Sequence, residues 1–360
     1  MSTRHLVIMA AGTGGHIIPG LAVAEEMKRR GWSVSWIGTE TGMENRLVPP
    51  TGIPLDRLAF AGLRGKGLKH ALTGLFTLVK AFVQSRMVYV TRDADAVLGM
   101  GGYVCVPGGF MAWLMRKPLV LVNADAAPLM SNRLLKPFAR RIAFGFEGEA
   151  AKELGDKALV SGNPVRAAIE ALPAPAERYA GRSGPLRLLV VGGSLGAKAL
   201  NDVLPQALAR MPAEQRPLVV HQTGQGQQAQ VQAAYKAAGV DADVRPFIDD
   251  MAQELAACDL ILCRAGAVTV SELCAAGVPS ILVPLVVKTT SHQRDNAAYM
   301  AGKSAALHLP QGELTPERLQ QLLATLTRER LLQLATNARA LARPQAASRV
   351  ADEIERLVKP

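Results

Sequence analysis

Aromatic side chains make up only 4% of the 360 residues, and no basic stretch is interleaved with stacking rings. A binder of single-stranded nucleic acid needs both, so that class is set aside. Cysteine is scarce: Cys105, Cys258, Cys263 and Cys274 show no C-x-x-C spacing. They read as buried thiols in a reducing compartment, not as a disulfide frame or a metal cage. The six histidines are scattered without ligand spacing, and the D-x-D triplets at 93–95 and 241–243 read as turns ahead of strands, so no metal site is expected. No uncharged apolar run approaches the roughly 18 residues that span a bilayer. The longest, 275–287, is broken by Gly277, Pro279 and Pro284. The N-terminal stretch has three glycines in four positions and runs into a charged helix, unlike a secretory leader.

What is present is basic and α/β in pattern. Lysine and arginine outnumber acidic residues 41 to 30, a net charge of +11, which calls for an anionic partner such as a phosphorylated substrate or an acidic membrane surface. Short apolar strands alternate with helical stretches through two series. Strands are expected at 6–9, 33–37, 96–98, 118–122, 141–144 and 158–160, then at 187–191, 218–221, 244–247, 260–263, 280–283 and 305–309. The Pro-, Gly- and Ala-rich stretch 171–185 between them reads as a linker. Each series opens with a strand, a glycine turn (Gly12 to Gly15; Gly192 to Gly196) and a helix, 180 residues apart. The fold class is therefore α/β, two Rossmann-like domains with parallel sheets facing a central cleft. The expected domains are 1–163 and 164–342. A final helix, 343–360, is expected to pack back on the first.

Several residues carry chemistry. His16 stands where the first helix begins, at the mouth of the glycine turn. An imidazole with an ordinary pKa of about 6.5 suits a general base at neutral pH, and a helix N-terminus disfavours its cationic form. Arg166, in GNPVR, can hold a phosphate in two bonds. In CRAGAVTVSEL, residues 263–273, a helix beginning at Ala267 offers the free N–H groups of its first turn, the Thr269 hydroxyl and the Glu272 carboxylate, a set suited to a pyrophosphate and a ribose. In SHQRDNA, Gln293 and Asn296 can read sugar hydroxyls. The glycines of GMGGY, Gly101 and Gly102, permit either close approach of a ligand or a sharp turn. Residues 62–88 carry Arg64, Lys66, Lys69, Lys80 and Arg86 beside more apolar surface than one core stripe needs. Leu75, Leu78 and Phe82 are the surplus, as in a helix lying in a membrane interface.

Eight motifs in order resemble the MurG family of peptidoglycan glycosyltransferases: GTGGH at 12–16, GLRGKG at 62–67, GMGGY at 99–103, GNPVR at 162–166, VVGGSLGA at 190–197, FIDDM at 247–251, CRAGAVTVSEL at 263–273 and HQ-x-x-NA at 292–297. The resemblance implies the GT-B arrangement and an inverting transfer of N-acetylglucosamine from UDP-GlcNAc to lipid I, giving lipid II, without a cofactor or a catalytic metal. It implies peripheral attachment to the cytoplasmic face of the bacterial inner membrane, and leaves cell-wall-synthesis or division proteins as further partners. It assigns donor contacts to Thr13, Gly14, Gly15, Asp125, Arg166, Ser194, Ile248, Ala267, Val268, Thr269, Glu272, His292 and Gln293. The acceptor and its diphosphate fall to Gly14, Gly15, His16, Gly101, Gly102 and Tyr103. Membrane contact falls to Lys69, Leu75, Phe76, Leu78, Val79, Phe82, Trp113, Lys136 and Arg140. One departure stands out: the family's His-Glu-Gln-Asn after the strand at 118–122 is here Val122-Asn123-Ala124-Asp125, so its sugar-binding asparagine falls on Asp125. The competing reading is another GT-B enzyme of UDP-GlcNAc, similar to a lipid A disaccharide synthase or a UDP-GlcNAc epimerase.

Overall fold

The computed structural model describes residues 3–12, 14–60, 68–193, 196–285 and 292–358, with backbone alone for 68–73. The order begins β1 (His5–Ala10), α1 (Gly14–Arg29), β2 (Ser33–Thr39), α2 (Glu44–Leu47), β3 (Leu55–Leu58), α3 (Leu68–Thr91), β4 (Ala96–Gly101), α4 (Cys105–Leu114), β5 (Leu119–Asn123), α5 (Met130–Leu135), β6 (Arg141–Phe144), α6 (Glu149–Lys152) and β7 (Ala158–Val160). It continues with α7 (Ala167–Glu170), α8 (Pro175–Tyr179), β8 (Arg187–Val191), α9 (Lys198–Ala209), β9 (Leu218–Gln222), α10 (Gln228–Ala237), β10 (Asp243–Arg245), α11 (Met251–Ala257) and β11 (Leu260–Cys263). Last come α12 (Ala267–Ala276), β12 (Ser280–Leu282), α13 (His292–Gly302), β13 (Leu307–His308), α14 (Pro316–Ala324), α15 (Arg328–Ala340) and α16 (Ala346–Val358).

Two compact units result: residues 1–165 with 343–360, and residues 166–342. The first holds a seven-stranded parallel sheet in the order β3-β2-β1-β4-β5-β6-β7. β1, β4 and β5 are buried at every position. Continuous apolar strands of this kind belong inside a parallel sheet covered on both faces. The second unit holds a six-stranded parallel sheet, β10-β9-β8-β11-β12-β13. Its core gathers Leu188, Val190, Leu200, Leu204, Leu262 and Ile281. All four cysteines are buried free thiols.

The structure departs from the sequence reading in a few places. β3 was not expected: it is a four-residue edge strand whose Asp56 and Arg57 hide it from an apolar count, and Asp56 pairs with Arg92 at 3.0 Å. β10 and β13 are shorter than the expected 244–247 and 305–309. The supposed linker at 171–185 is packed structure. It contains α8, and the Tyr179 hydroxyl there donates to the Asp259 carbonyl at 2.5 Å. Arg178 donates to the carbonyls of Leu255, Ala276 and Gly277, and Arg182 to those of Ala256 and Cys258. These arginines close off carbonyls at the ends of α11 and α12, which the sequence pattern alone does not reveal.

α16 buries Val350, Ala351 and Ile354 in the core of the first unit, beside Leu6, Ile8, Ile17 and Val23. Arg30 reaches Asp352 at 2.7 Å and Glu355 at 2.9 Å, and Arg141 reaches Glu353 at 3.1 Å. Its alternation of apolar and charged residues at helical spacing is what lets one face enter the core and the other meet these arginines.

In the second unit His221, at the end of β9, is fully buried between the Tyr235 hydroxyl (2.9 Å) and Asn201 Oδ1 (3.0 Å). Burial lowers its pKa from 6.5 to about 4. Between those values the unfolded chain binds a proton that the folded one refuses, so stability falls as pH drops from 6.5 toward 4, by up to about 3 kcal/mol. Thermal unfolding across this window should show the wild-type midpoint falling more steeply than that of His221→Gln. Parallel curves would reject the assignment.

Candidate functional site

In each unit the strand order reverses once, between β1 and β4 in the first and between β8 and β11 in the second. Open parallel sheets bind ligands at the carboxyl ends of the strands beside such a reversal. His16, Gly101 and Gly102 lie there in the first unit, and Ala267, Val268 and Thr269 in the second.

In the first unit the glycine turn follows β1, with Gly12 at φ +99°, and α1 begins at Gly14. His16 therefore occupies the third position of α1, half-buried, with Gly15 exposed before it. Its ring lies against the backbone after β4: a Cβ on Gly101 would stand 2.6 Å from His16 Nδ1. Gly101 and Gly102 have φ of +124° and +90°, and a Cβ on Gly102 would stand 2.5 Å from the Ala11 carbonyl oxygen. The close approach these glycines allow is thus by the protein's own His16 and Ala11. Tyr103 is exposed beside them. Thr13 lies outside the described residues.

Asp125 is half-buried in the loop after β5. That loop is built by Asn123, 1% exposed, which donates to the carbonyls of Asp125 (2.7 Å) and Ala127 (3.2 Å) and accepts from Leu129 N (2.8 Å) and Asn132 Nδ2 (3.2 Å). A carboxylate at 123 could not donate the first two bonds. Where the family has Glu, this chain thus has an amide that shapes the loop presenting Asp125.

In the second unit Arg166, just before α7, meets Glu272 of α12 in a two-pronged ion pair, Nε to Oε1 at 2.7 Å and Nη2 to Oε2 at 2.9 Å. Glu272 is 8% exposed while Arg166 lies at the surface. The sequence placed both in one site, and the structure brings them into direct contact. α12 opens after Gly266, which supplies no side-chain cap. The first-turn N–H groups of Ala267, Val268 and Thr269 thus stay open to an anion.

The second glycine turn follows β8. A Cβ on Gly196, at φ +75°, would fall 2.0 Å from the Thr223 carbonyl, so only glycine fits. Ser194 lies outside the described residues. Sequence reasoning missed Gln222, 3% exposed at the end of β9. It donates to the Gly193 carbonyl at 3.2 Å and accepts from Ile248 N at 3.0 Å, joining the glycine turn to the segment that holds Ile248. Its place one residue past the expected strand at 218–221 was the available signal. Gln293 and His292 open α13, and Gln293 Oε1 accepts from Leu285 N at 2.9 Å. Asn296 is corrected: fully buried, it donates to the Ala265 carbonyl at 3.0 Å and braces the approach to α12.

A separate apolar face lies on the first unit. Leu75, Phe76, Val79, Val83, Met87 and Val90 are exposed along α3, with Trp113 and Leu114 on α4 and Met130 and Leu134 on α5. Leu78 and Phe82, expected among the surplus, instead pack on the core, and Phe82 joins Phe110, Trp113 and Phe138 in an aromatic cluster. The helix is rotated relative to the expected stripe because Ala81, Ser85 and Tyr89 are its buried line. Lys80, Arg86, Lys136 and Arg140 are exposed on the same helices and the segment after α5. The side chain of Lys69 and the whole of 62–67 lie outside the described residues. Among the described residues no helix is long and apolar enough to cross a membrane.

The N-terminal domain of glycosyltransferase family 28 matches residues 6–144, and the C-terminal domain of the same family matches 187–357. A relative from Methylibium petroleiphilum, named UDP-N-acetylglucosamine--N-acetylmuramyl-(pentapeptide) pyrophosphoryl-undecaprenol N-acetylglucosamine transferase, is 66% identical over 100% of this chain and 99% of its own. One of the same name from Chromobacterium violaceum is 63% identical over 99% of each. The crystal structure of Acinetobacter baumannii MurG is similar at 38% identity and a TM-score of 0.85, over 98% of this chain and 99% of that one.

Proposed function

The chain belongs to glycosyltransferase family 28, and from that premise we propose that it moves N-acetylglucosamine from UDP-GlcNAc to the muramyl 4-hydroxyl of lipid I, forming lipid II in peptidoglycan synthesis. The observation that carries this reading is the Arg166–Glu272 pair beside the uncapped opening of α12, in a chain that matches the transferases end to end. Incubation with UDP-GlcNAc and lipid I should give lipid II and UDP. A product of epimerisation, or of transfer to a lipid A precursor, would replace the reading.

The second unit takes the donor. Arg166, with the N–H groups of Ala267, Val268 and Thr269, meets the diphosphate, Glu272 the ribose, Ile248 the uracil and Gln293 with His292 the sugar. Ser194 completes the diphosphate contacts. Negative charge builds on the departing UDP, and fixed dipoles with a guanidinium stabilise it where it forms. The Arg166–Glu272 bond has a further use: it holds both side chains in place before the donor arrives, so less ordering remains at binding. On the first unit, Asp125 in the loop after β5 accepts from a sugar hydroxyl.

The first unit takes the acceptor. Gly14 and Gly15 let the diphosphate of lipid I approach the start of α1, with Tyr103 beside them. His16 takes the proton from the attacking hydroxyl, which displaces UDP in one step and inverts the anomeric carbon. The apolar face of α3, α4 and α5, with Lys80, Arg86, Lys136 and Arg140 exposed on α3 and after α5, rests on the anionic cytoplasmic leaflet of the inner membrane, where the lipid acceptor resides.

Calorimetry with UDP should show Arg166→Ala and Glu272→Ala each weaker by about 1.5–3 kcal/mol, the loss of a charge-assisted bond. Because the two side chains touch, the double variant should lose less than the sum. Unchanged affinity in both single variants would remove them from the donor site.

His16→Ala should lower kcat by about 10²–10⁴-fold and abolish the acidic limb of the pH–rate profile, with donor affinity intact. Near wild-type kcat would end the base assignment.

On vesicles containing anionic lipid, sedimentation should fall with salt and with Phe76→Asp or Val83→Asp, whose side chains are 72% and 54% exposed. Each basic residue near the surface should add about 1 kcal/mol. Equal partitioning of wild type and variants would mark the face as something other than a lipid contact.

A further inference from the structure

Glu44, at the start of α2, is fully buried and held by hydrogen bonds from neutral donors. Burying a carboxylate is costly unless other donors replace its hydration. Three do so. Oε1 accepts from the N–H and the hydroxyl of Thr39, both at 2.6 Å, and Oε2 accepts from the N–H of Gly12 at 3.1 Å. The turn is built around this group: a Cβ on Gly38 or Gly42 would lie 2.5 or 2.2 Å from the Glu44 side chain. The Thr39 bonds serve the local turn. The bond to Gly12 reaches back 32 residues to the glycine turn that precedes α1.

We propose that Glu44 is a positioning residue: through the Gly12 N–H it fixes the turn from which α1 starts, and so the direction in which His16 is presented against Gly101. This rests on the reading of His16 as the base. The turn needs such an anchor, because Gly12 stands at a positive φ and Gly14 and Gly15 follow within three residues, so little side-chain bulk restrains it. A carboxylate held in three bonds supplies that restraint from beyond the neighbouring strand.

Glu44→Gln tests this with little change of volume. An amide can accept from only one side, so its NH₂ must oppose either the Thr39 or the Gly12 N–H. Steady-state kinetics should show kcat lower by about 10–100-fold, the scale on which misplacement of a catalytic group is felt. KM for UDP-GlcNAc and UDP affinity by calorimetry should be unchanged. Thr39→Val, which removes one donor to the same carboxylate, should act in the same direction by about 3–10-fold, and it carries the test if Glu44→Gln does not fold. Since Glu44 acts through His16, the double variant His16→Ala/Glu44→Gln should be no slower than His16→Ala to within about 2-fold. Multiplied effects in the double variant would overturn the proposal, as would wild-type kcat in folded Glu44→Gln, or in Thr39→Val standing in for it. A wild-type kcat in His16→Ala would overturn the base assignment whatever Glu44→Gln does, whereas a full His16 effect beside an unimpaired Glu44→Gln overturns the positioning role alone.

Discussion

Parallel pairing across the two reversals of strand order is the constraint on which the candidate chemistry depends. β1 pairs with β4, and β8 with β11. The chain leaves each pair in opposite directions, so the loops after these strands diverge and leave room at the sheet's carboxyl edge. His16 and Gly101 come from one such pair of loops, and Gly193 and Ala267 from the other. Residues far apart in sequence are thereby set side by side with no need for long excursions of the backbone.

That arrangement explains why the candidate loops were legible in the sequence. Strand, glycine turn and helix start are local signals, and each candidate loop carries one. Arg166 and Glu272 stand 106 residues apart, yet each was recognisable from its own surroundings. What stayed hidden depends on partners that pattern does not encode. Glu44 reads as an ordinary acidic helix start until Gly12 is seen to donate to it. Gln222 reads as a polar residue after a strand until Gly193 and Ile248 close on its two ends. Asn123 looked like a lost family residue, and only its four bonds show that it shapes a loop.

Composition misled at two places for physical reasons. Proline, alanine and glycine at 171–185 suggest a free connection, but Arg178 and Arg182 bury their guanidinium groups on backbone carbonyls, and desolvation lowers the pKa of Arg178 accordingly. Along α3 the apolar residues outnumber one stripe, so the choice of buried line was open. Small Ala81 and Ser85 at the contact with the sheet layer decided it, with Ser85 satisfied by the Ala81 carbonyl at 2.7 Å. Leu75, Phe76, Val79 and Val83 were left outward.

The return of α16 to the first unit has a consequence for the order in which the molecule is made. Residues 166–342 are contiguous, so the second unit can fold as soon as they have left the ribosome. The first unit cannot: Val350, Ala351 and Ile354 belong to the core that surrounds β1, nearly the earliest strand synthesised. Through the whole synthesis of the second unit that core carries an open apolar groove along α1. Domains usually complete themselves in the order in which they emerge. Here the amino-terminal unit is begun first and finished last, and the groove awaiting α16 is the surface that a chaperone, or a neighbouring nascent chain, would meet in the interval.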